Sequence, residues 1–492
     1  MVPKEIIGIV FILVFASLVL SPCLRNSFTN WDDPRYLTEN SDLKDFSLLG
    51  AARIISSFYN ANYHPLTMLT YFLEYHFFKL NPRGYHITNL FLHLVNCCLV
   101  FWFIFLLSKS ASVSFVATML FAIHPLNVEP VAWVSGRKDL LYTLFFVSSL
   151  IAYLYYLREY KRKLYYLAIC TFILSLFSKA AAITLPFMLL LIDYYNRRKL
   201  YNKAVFEKIP FFEISFIFLL ICIFTQGTFG AIIRMHSTPL FYRGIIVTYA
   251  PTFYLVKLLL PIKLSCRYPY PAWEGVLTLR YLLSPAVIFI LAALVIFSKT
   301  HTRKIVFGAT FFLIAALPVL QIIPFGNSLT ADRFNYLPGV GLFYLAGEGV
   351  RWLYSRINKY GLVAKITVSL ILAGLVLGLS ILSWHRSKVW QDSITLWSDV
   401  LVKYPDSLTA LNNRAIAYSA AGNYAKAIED LNRAIKLTPQ DPMFYFNRAN
   451  AYRQKGDRDK ADLDFKQYLQ KSRFWNRPEA GRFFNMNSLD KI

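Results

Sequence analysis

Charge is scarce in this chain, and acid is scarcer than base. Only 16% of its 492 residues are Asp, Glu, Lys or Arg, and 28 acidic residues face 52 basic ones. Hydrophobic residues make up 56% and gather in long runs, more apolar material than a soluble domain can bury. That excludes an ordinary soluble globular protein and leaves a multi-span membrane protein. Cysteine is also sparse. Cys23, Cys97, Cys98, Cys170, Cys222 and Cys266 show no CxxC or Cys/His metal spacing, so no zinc site is implied, and several lie where a thiol serves as a small buried hydrophobe. No GxxxxGK[ST] occurs, and the loops assigned below to the cytoplasm have no room for a nucleotide-binding domain, which argues against an ATP-driven pump. The net charge of +24 does not read as nucleic-acid binding, because Lys and Arg sit in short clusters between apolar segments.

Runs long enough, or nearly so, to cross a bilayer lie at about 5–22, 88–107, 113–131, 140–157, 164–178, 181–196, 209–226, 281–298, 305–323, 337–354 and 364–384. The first resembles a signal peptide, but Pro22 before Cys23 disfavours cleavage, so it is read as an uncleaved span. The stretch 240–262 is interrupted by Pro251 and Pro261 and is read as re-entrant or interfacial. With it excluded, basic clusters at Arg158/Lys161/Arg162/Lys163, Arg197/Arg198/Lys199/Lys203, Lys299/Arg303/Lys304 and Arg351/Arg356/Lys359 all fall on the cytoplasmic side. The expected topology has about eleven spans with the N-terminus inside. It puts loop 23–86, the segment 227–280, the loop 324–336 and everything after residue 385 outside.

From about residue 387 the composition turns soluble, amphipathic and helical. Residues 412–439 align with 446–473 at a shift of 34, pairing Asn413/Asn447, Arg414/Arg448, Ala415/Ala449, Tyr418/Tyr452, Gly422/Gly456 and Ala427/Ala461. That period, with small residues where paired helices touch, is the tetratricopeptide signature. The expected fold is all-α: a membrane helical bundle over 1–386, about 2.5 repeats over 387–474 and a tail over 475–492. So short an array is expected to lean on the membrane domain or a partner.

Ionisable groups at the edges of apolar runs are costly and become candidates for function. Here they recur on the outer side: Asp32, Asp33, Arg35, His64, Glu74, His86, His124, Glu129, Arg137, Lys138, Asp139, Lys179, Asp332 and Arg333. Each has an ordinary structural use: Asp-Pro opens turns, His64 and His124 precede Pro and can cap helices, and Lys179 can snorkel. Together they suit sugar transfer from a lipid-linked phosphate. A carboxylate takes a proton from an acceptor hydroxyl, and cations stabilise the departing phosphate. One base opposite a phosphate implies direct displacement with inversion.

WDDPRY at 31–36 followed by NYHPL at 62–66 resembles the first outer loop of membrane glycosyltransferases of the GT-C fold. FAIHPLNVEPVAWVSGRKDLL (121–141), FSKAAAITLPFMLLLIDYY (177–195), ADRFNYLPGVG (331–341) and the passage 390–415 into the repeats resemble the transmembrane and tetratricopeptide-repeat-containing O-mannosyltransferases. The resemblance implies Asp32 as catalytic base and Asp33 as its partner. It implies Arg137, Lys179, Arg333 and His64 around the donor phosphate, with Arg35, His124, Glu129, Asp139 and Asp332 in support. Two departures stand out: His64 replaces the usual Lys, and Ala180 follows Lys179 where relatives show Glu. Expected partners are a polyprenyl-phosphate-linked sugar, a protein acceptor on the repeats, and membrane lipids, with no nucleic acid. No cofactor is expected, although paired carboxylates leave Mg²⁺ or Mn²⁺ open. The expected location is a bacterial inner membrane with periplasmic repeats, or the endoplasmic reticulum with luminal ones. A transporter and a membrane-anchored scaffold are the competing classes.

Overall fold

The computed structural model describes residues 3–60, 62–199, 202–228, 240–270, 278–297, 302–322 and 328–475. The expected tail beyond 475, parts of the outer segment 227–280 and Lys299 lie outside these. Apart from two isolated bridges, the regular structure of the described residues is helical.

The bundle opens with α1 (Pro3–Leu20), whose sides differ in burial. Ile12 and Ala16 are fully covered, while Ile7, Phe11, Val14 and Leu18 are each more than half exposed, a stripe tolerable in lipid but not in water. The loop behind it carries α2 (Leu48–Ser56) and α3 (Pro65–Phe78). The long α4 (Pro82–Ser108) starts where Asn81 caps Arg83 N and Pro82 supplies a preset φ. After α5 (Ala111–Ile123) the chain bends by 58° into Pro125–Asn127 and the short α6 (Val128–Ala132). His124 makes that corner by accepting from Leu126 N through Nδ1 and donating Nε2–H to Leu258 O at 3.1 Å. Then come α7 (Arg137–Glu159), α8 (Arg162–Ser178), α9 (Leu185–Tyr195), α10 (Asn202–Phe206), α11 (Ile209–Thr228) and α12 (Leu240–Leu259). The membrane part ends with α13 (Leu279–Leu282), α14 (Ser284–Phe297), α15 (Thr302–Ala316), α16 (Gly339–Ile357) and α17 (Gly361–Val389).

Each of the eleven expected spans falls, among the described residues, on helical structure, 113–131 on the bent α5–α6 pair. Among the described residues, five stretches are long and apolar enough to cross a membrane, and the bent α5–α6 pair makes a sixth. The re-entrant candidate is one 20-residue helix, α12, with Pro251 inside it. At the centre α4 packs on both α5 and α7, with α1, α16 and α17 against α5. The backbones of α15 and α16 nearly touch: a Cβ on Gly308 would lie 2.7 Å from Gly341 O.

The repeats are α18 (Ser393–Lys403), α19 (Leu408–Ala420), α20 (Tyr424–Leu437), α21 (Pro442–Lys455) and α22 (Arg458–Trp475). Helix α17 continues to Val389, past the expected domain boundary. Gly422 and Gly456 take left-handed φ of 75° and 94° at the two equivalent turns, where a side chain would be strained. The aligned arginines also have a physical reason. Arg414 grips Asp430 at 2.8 and 2.7 Å, and Arg448 grips Asp464 at 2.7 and 2.7 Å, each a bidentate fork tying the two helices of its unit.

Candidate active site

The turn after the first helix is pinned from several sides. Asn26 donates to Ala132 O and Ser387 O, and Ser27 N donates to Gln391 O at 2.8 Å. Trp31 stacks on Trp133 at 4.9 Å between centroids and lies edge-on to Trp397 at 5.6 Å.

The two adjacent carboxylates have opposite fates. Asp33 is fully buried and accepts from Thr29 N at 2.7 Å, Thr29 Oγ1 at 3.0 Å, Ser135 N at 3.2 Å and Ser135 Oγ. Burial pushes its acid up to about 6 against the pull of those donors. It is a clamp joining the turn to the segment before α7, with its contacts made to Thr29 and Ser135, which differs from the catalytic partnership expected of it. Asp32 keeps 15% of its side chain exposed. Its Oδ2 lies 3.3 Å from Lys138 Nζ, and its Oδ1 accepts from Asn60 Nδ2 at 3.1 Å.

Three cations gather on this side. Lys138 lies over the rings of Tyr36 and Trp133 at 5.0 and 5.4 Å. Arg333 donates Nη1 to Glu129 Oε1 at 2.6 Å and lies over Trp31, Trp133 and Phe334. Its charge is reinforced by Glu129, Asp139 and Asp32, which hold it above the ordinary arginine range. Lys179 pairs with Asp139 at 2.5 Å and shares the Phe334 ring with Arg333. Between 12 and 19% of each cationic side chain stays exposed. Lys138 and Arg333 thus lie in the field of Asp32, and Lys179 in the fields of Lys138 and Arg333, with Glu129 and Asp139 as counter-charges.

Burial decides which expected ligands are available. Arg137 has none of its side chain exposed: Nε donates to Asn89 Oδ1 at 2.8 Å, Nη2 to Tyr85 O at 2.9 Å, and Nη1 pairs with Glu74. It is a structural arginine, and Lys138 is the member of the adjacent pair that lies beside Asp32. The reason is helical: successive residues at the start of α7 point about 100° apart, so only one of an adjacent Arg-Lys pair can face the Asp32 turn. His64 is also corrected. It is 2% exposed, edge-on to Tyr36 at 5.1 Å, with both ring nitrogens unpartnered among the described residues. Burial, with the Lys138 charge, lowers its pKa to about 3, so it is neutral and no phosphate cation. Asp332 accepts from Tyr268 Oη at 2.7 Å and Arg386 Nη2 at 3.3 Å, beneath Arg333 instead of beside Asp32. Arg35 is exposed and reaches Asn60 Oδ1 at 2.7 Å.

Two supports went unassigned in the sequence. Gly136 precedes the cations, and a Cβ there would lie 2.7 Å from Pro130 O, so only glycine lets α6 and α7 meet this closely. His93 donates Nε2–H to Ala122 O at 3.0 Å, which leaves Nδ1 to accept from Tyr336 Oη at 2.7 Å and tethers the segment carrying Arg333. A buried polar residue at i+4 from Asn89 on α4 is the signal that could have pointed to His93.

Residues 415–456 match the family model described as TPR repeat, and 444–470 that described as Tetratricopeptide repeat. A Caenorhabditis elegans protein named protein O-mannosyl-transferase F38B6.6 is 27% identical over 455 residues, covering 88% of this chain and 63% of that protein. Human protein O-mannosyl-transferase TMTC3 is 24% identical over 438 residues, covering 80% of this chain and 46% of its own. Among solved structures, ArnT from Cupriavidus metallidurans bound to undecaprenyl phosphate covers 96% of this chain and 78% of its own at 12% identity, with a TM-score of 0.38. The chain spans less than two-thirds of the length of the two O-mannosyl-transferases. It is similar over most of its length to proteins named protein O-mannosyl-transferase, and has an apolar helical domain followed by tetratricopeptide repeats.

Proposed function

We propose that this chain is an inverting membrane glycosyltransferase that moves a hexose, mannose by the names of its relatives, from a polyprenyl-phosphate donor to a Ser or Thr hydroxyl of a protein. The observation that carries this reading is Asp32: a partly exposed carboxylate 3.3 Å from Lys138 and within the field of Arg333, with Lys179, paired to Asp139, within the fields of those two cations. The hydroxyl oxygen attacks the anomeric carbon while Asp32 takes its proton. The bond from that carbon to the phosphate oxygen breaks, and its electron pair leaves with polyprenyl phosphate. Lys138, Arg333 and Lys179 stabilise the charge that grows there. The half-buried faces of Trp31 and Phe334 beside them suit the apolar face of a sugar ring.

The basic clusters of the intervening loops support a non-cytoplasmic site, periplasmic in a bacterial inner membrane or luminal in the endoplasmic reticulum. The step as written calls on no metal, and full activity in EDTA is the expected outcome. The repeats engage the protein acceptor in this reading. The test is transfer of labelled mannose from polyprenyl-phosphate mannose by the purified chain in nanodiscs. Asp32→Asn abolishes transfer without lowering thermal stability; undiminished transfer in that variant would overturn the assignment.

A further inference from the structure

Both oxygens of Asp32 are held. Lys138 sits against Oδ2, and Asn60 donates an amide N–H to Oδ1 at 3.1 Å. The Asn60 amide has one possible orientation here, because its own oxygen accepts from Arg35 Nη1 at 2.7 Å and a guanidinium has no acceptor to offer in exchange. Arg35 therefore fixes Asn60, and Asn60 fixes Asp32 from a loop 28 residues away.

The backbone at Asn60 is built for this reach. Its φ is 51°, a left-handed conformation that Asn tolerates better than other side-chain-bearing residues. Tyr59 and Asn62 close the loop by exchanging both backbone hydrogen bonds at 3.0 Å. Tyr59 Oη donates to Asp42 at 2.9 Å, and Asn62 Nδ2 donates to Asn60 O at 2.6 Å. The four hydrogen bonds of this loop hold Asn60 in place with its side chain against a partly exposed carboxylate.

We propose that Asn60 is a positioning residue for Asp32, with Arg35 as the second link. The inference rests on Asp32 as the base of the reading above. The amide sets the rotation of the carboxylate, so that a free lone pair faces the acceptor hydroxyl. The other charged and titratable groups around Asp32 are Lys138 on α7, Tyr36 and Asp33 from its own turn, and Arg333. His64 lies beyond, within the field of Lys138.

Two substitutions separate positioning from structure. Asn60→Asp keeps the shape, the acceptor for Arg35 and tolerance of left-handed φ, but replaces the donor with a like charge. Asn60→Gly keeps the backbone and removes the amide. Transfer is measured from about pH 5 to 9 with polyprenyl-phosphate mannose and a Ser/Thr peptide. Both variants lower kcat by roughly 10- to 100-fold and leave donor KM within about two-fold. The acid limb of the profile moves to higher pH, further for Asn60→Asp than for Asn60→Gly. An unmoved limb in a folded variant overturns the proposal, as does a loss confined to KM; if Asn60→Asp fails to fold, Asn60→Gly alone decides. Should Asp32→Asn remain active, the reading beneath fails; should it be dead while the Asn60 variants keep the parent limb, only this inference fails.

Discussion

Neighbouring residues of like chemistry diverge here because burial treats them differently. Asp32 and Asp33 are one peptide apart, yet the second spends its acceptors on Thr29 and Ser135 while the first keeps a face open. Arg137 and Lys138 divide in the same way. The division makes opposite predictions for two charge-removing substitutions. Lys138→Met leaves the protein folded and lowers kcat by about 10²- to 10³-fold, as expected for removal of a group that stabilises developing charge. Arg137→Met strands Glu74 and costs about 3–5 kcal/mol of stability, read as a lower melting temperature and poor recovery from the membrane. A reversal of the two phenotypes would return the phosphate role to Arg137. His64 belongs at this scale too: a pKa near 3 keeps it neutral throughout the neutral range, so it contributes shape against Tyr36 and no charge.

At the scale of elements, the site exists because short helices meet at close range. Helix α6 ends at Ala132, the turn Val134–Gly136 follows, and α7 starts at Arg137, with the next residue, Lys138, beside Asp32. Gly136 is the contact that permits it, since a Cβ would stand 2.8 Å from Pro130 Cα. Backbone atoms cannot yield as a flexible side chain would. Gly136→Val therefore pushes the start of α7 away from the Asp32 turn. The expected cost is about 1–3 kcal/mol in thermal or denaturant unfolding, together with loss of transfer even where the variant folds. Gly136→Val with parental stability and activity would show that the two helices separate freely. The motif around Gly136 was legible in the sequence, but its steric role was not, because the Pro130 carbonyl approaches only after the chain has bent at His124.

Across the whole molecule, the repeat array and the membrane bundle form one connected structure. Asn30, two residues before Asp32, accepts from Trp397 Nε1 at 2.7 Å and donates to Asn413 O at 2.7 Å. On the other flank Asp332, next to Arg333, binds Arg386, which binds Asp399 at 3.0 Å, and Asp399 binds Lys403 at 2.5 Å. The array therefore grips both sides of the site, as its small number of units led one to expect. Arg386→Met leaves the buried Asp332 without its cation and costs about 3–5 kcal/mol. It also loosens α18, so limited proteolysis cleaves between 387 and 407 in the variant under conditions where the parent chain resists. Equal resistance would assign the docking to Asn30 and the tryptophans alone.

Periodicity and composition were enough to specify what depends on local pattern. The eleven apolar helices, the 34-residue repeat and the shared character of the charged motifs all follow from sequence, because apolar length and helical period act over neighbouring residues. The particular members of the charged motifs that face one another were decided by the fold. Asp32 finds Lys138 from 106 residues away and Asn60 from 28, distances over which no local pattern carries information. Burial then closed Asp33, Arg137 and His64 to the site and left Asp32, Lys138, Lys179 and Arg333 reachable. A charge is costly to bury and is silenced once paired, and only the packed chain determines which charges meet partners and which keep a face toward a ligand.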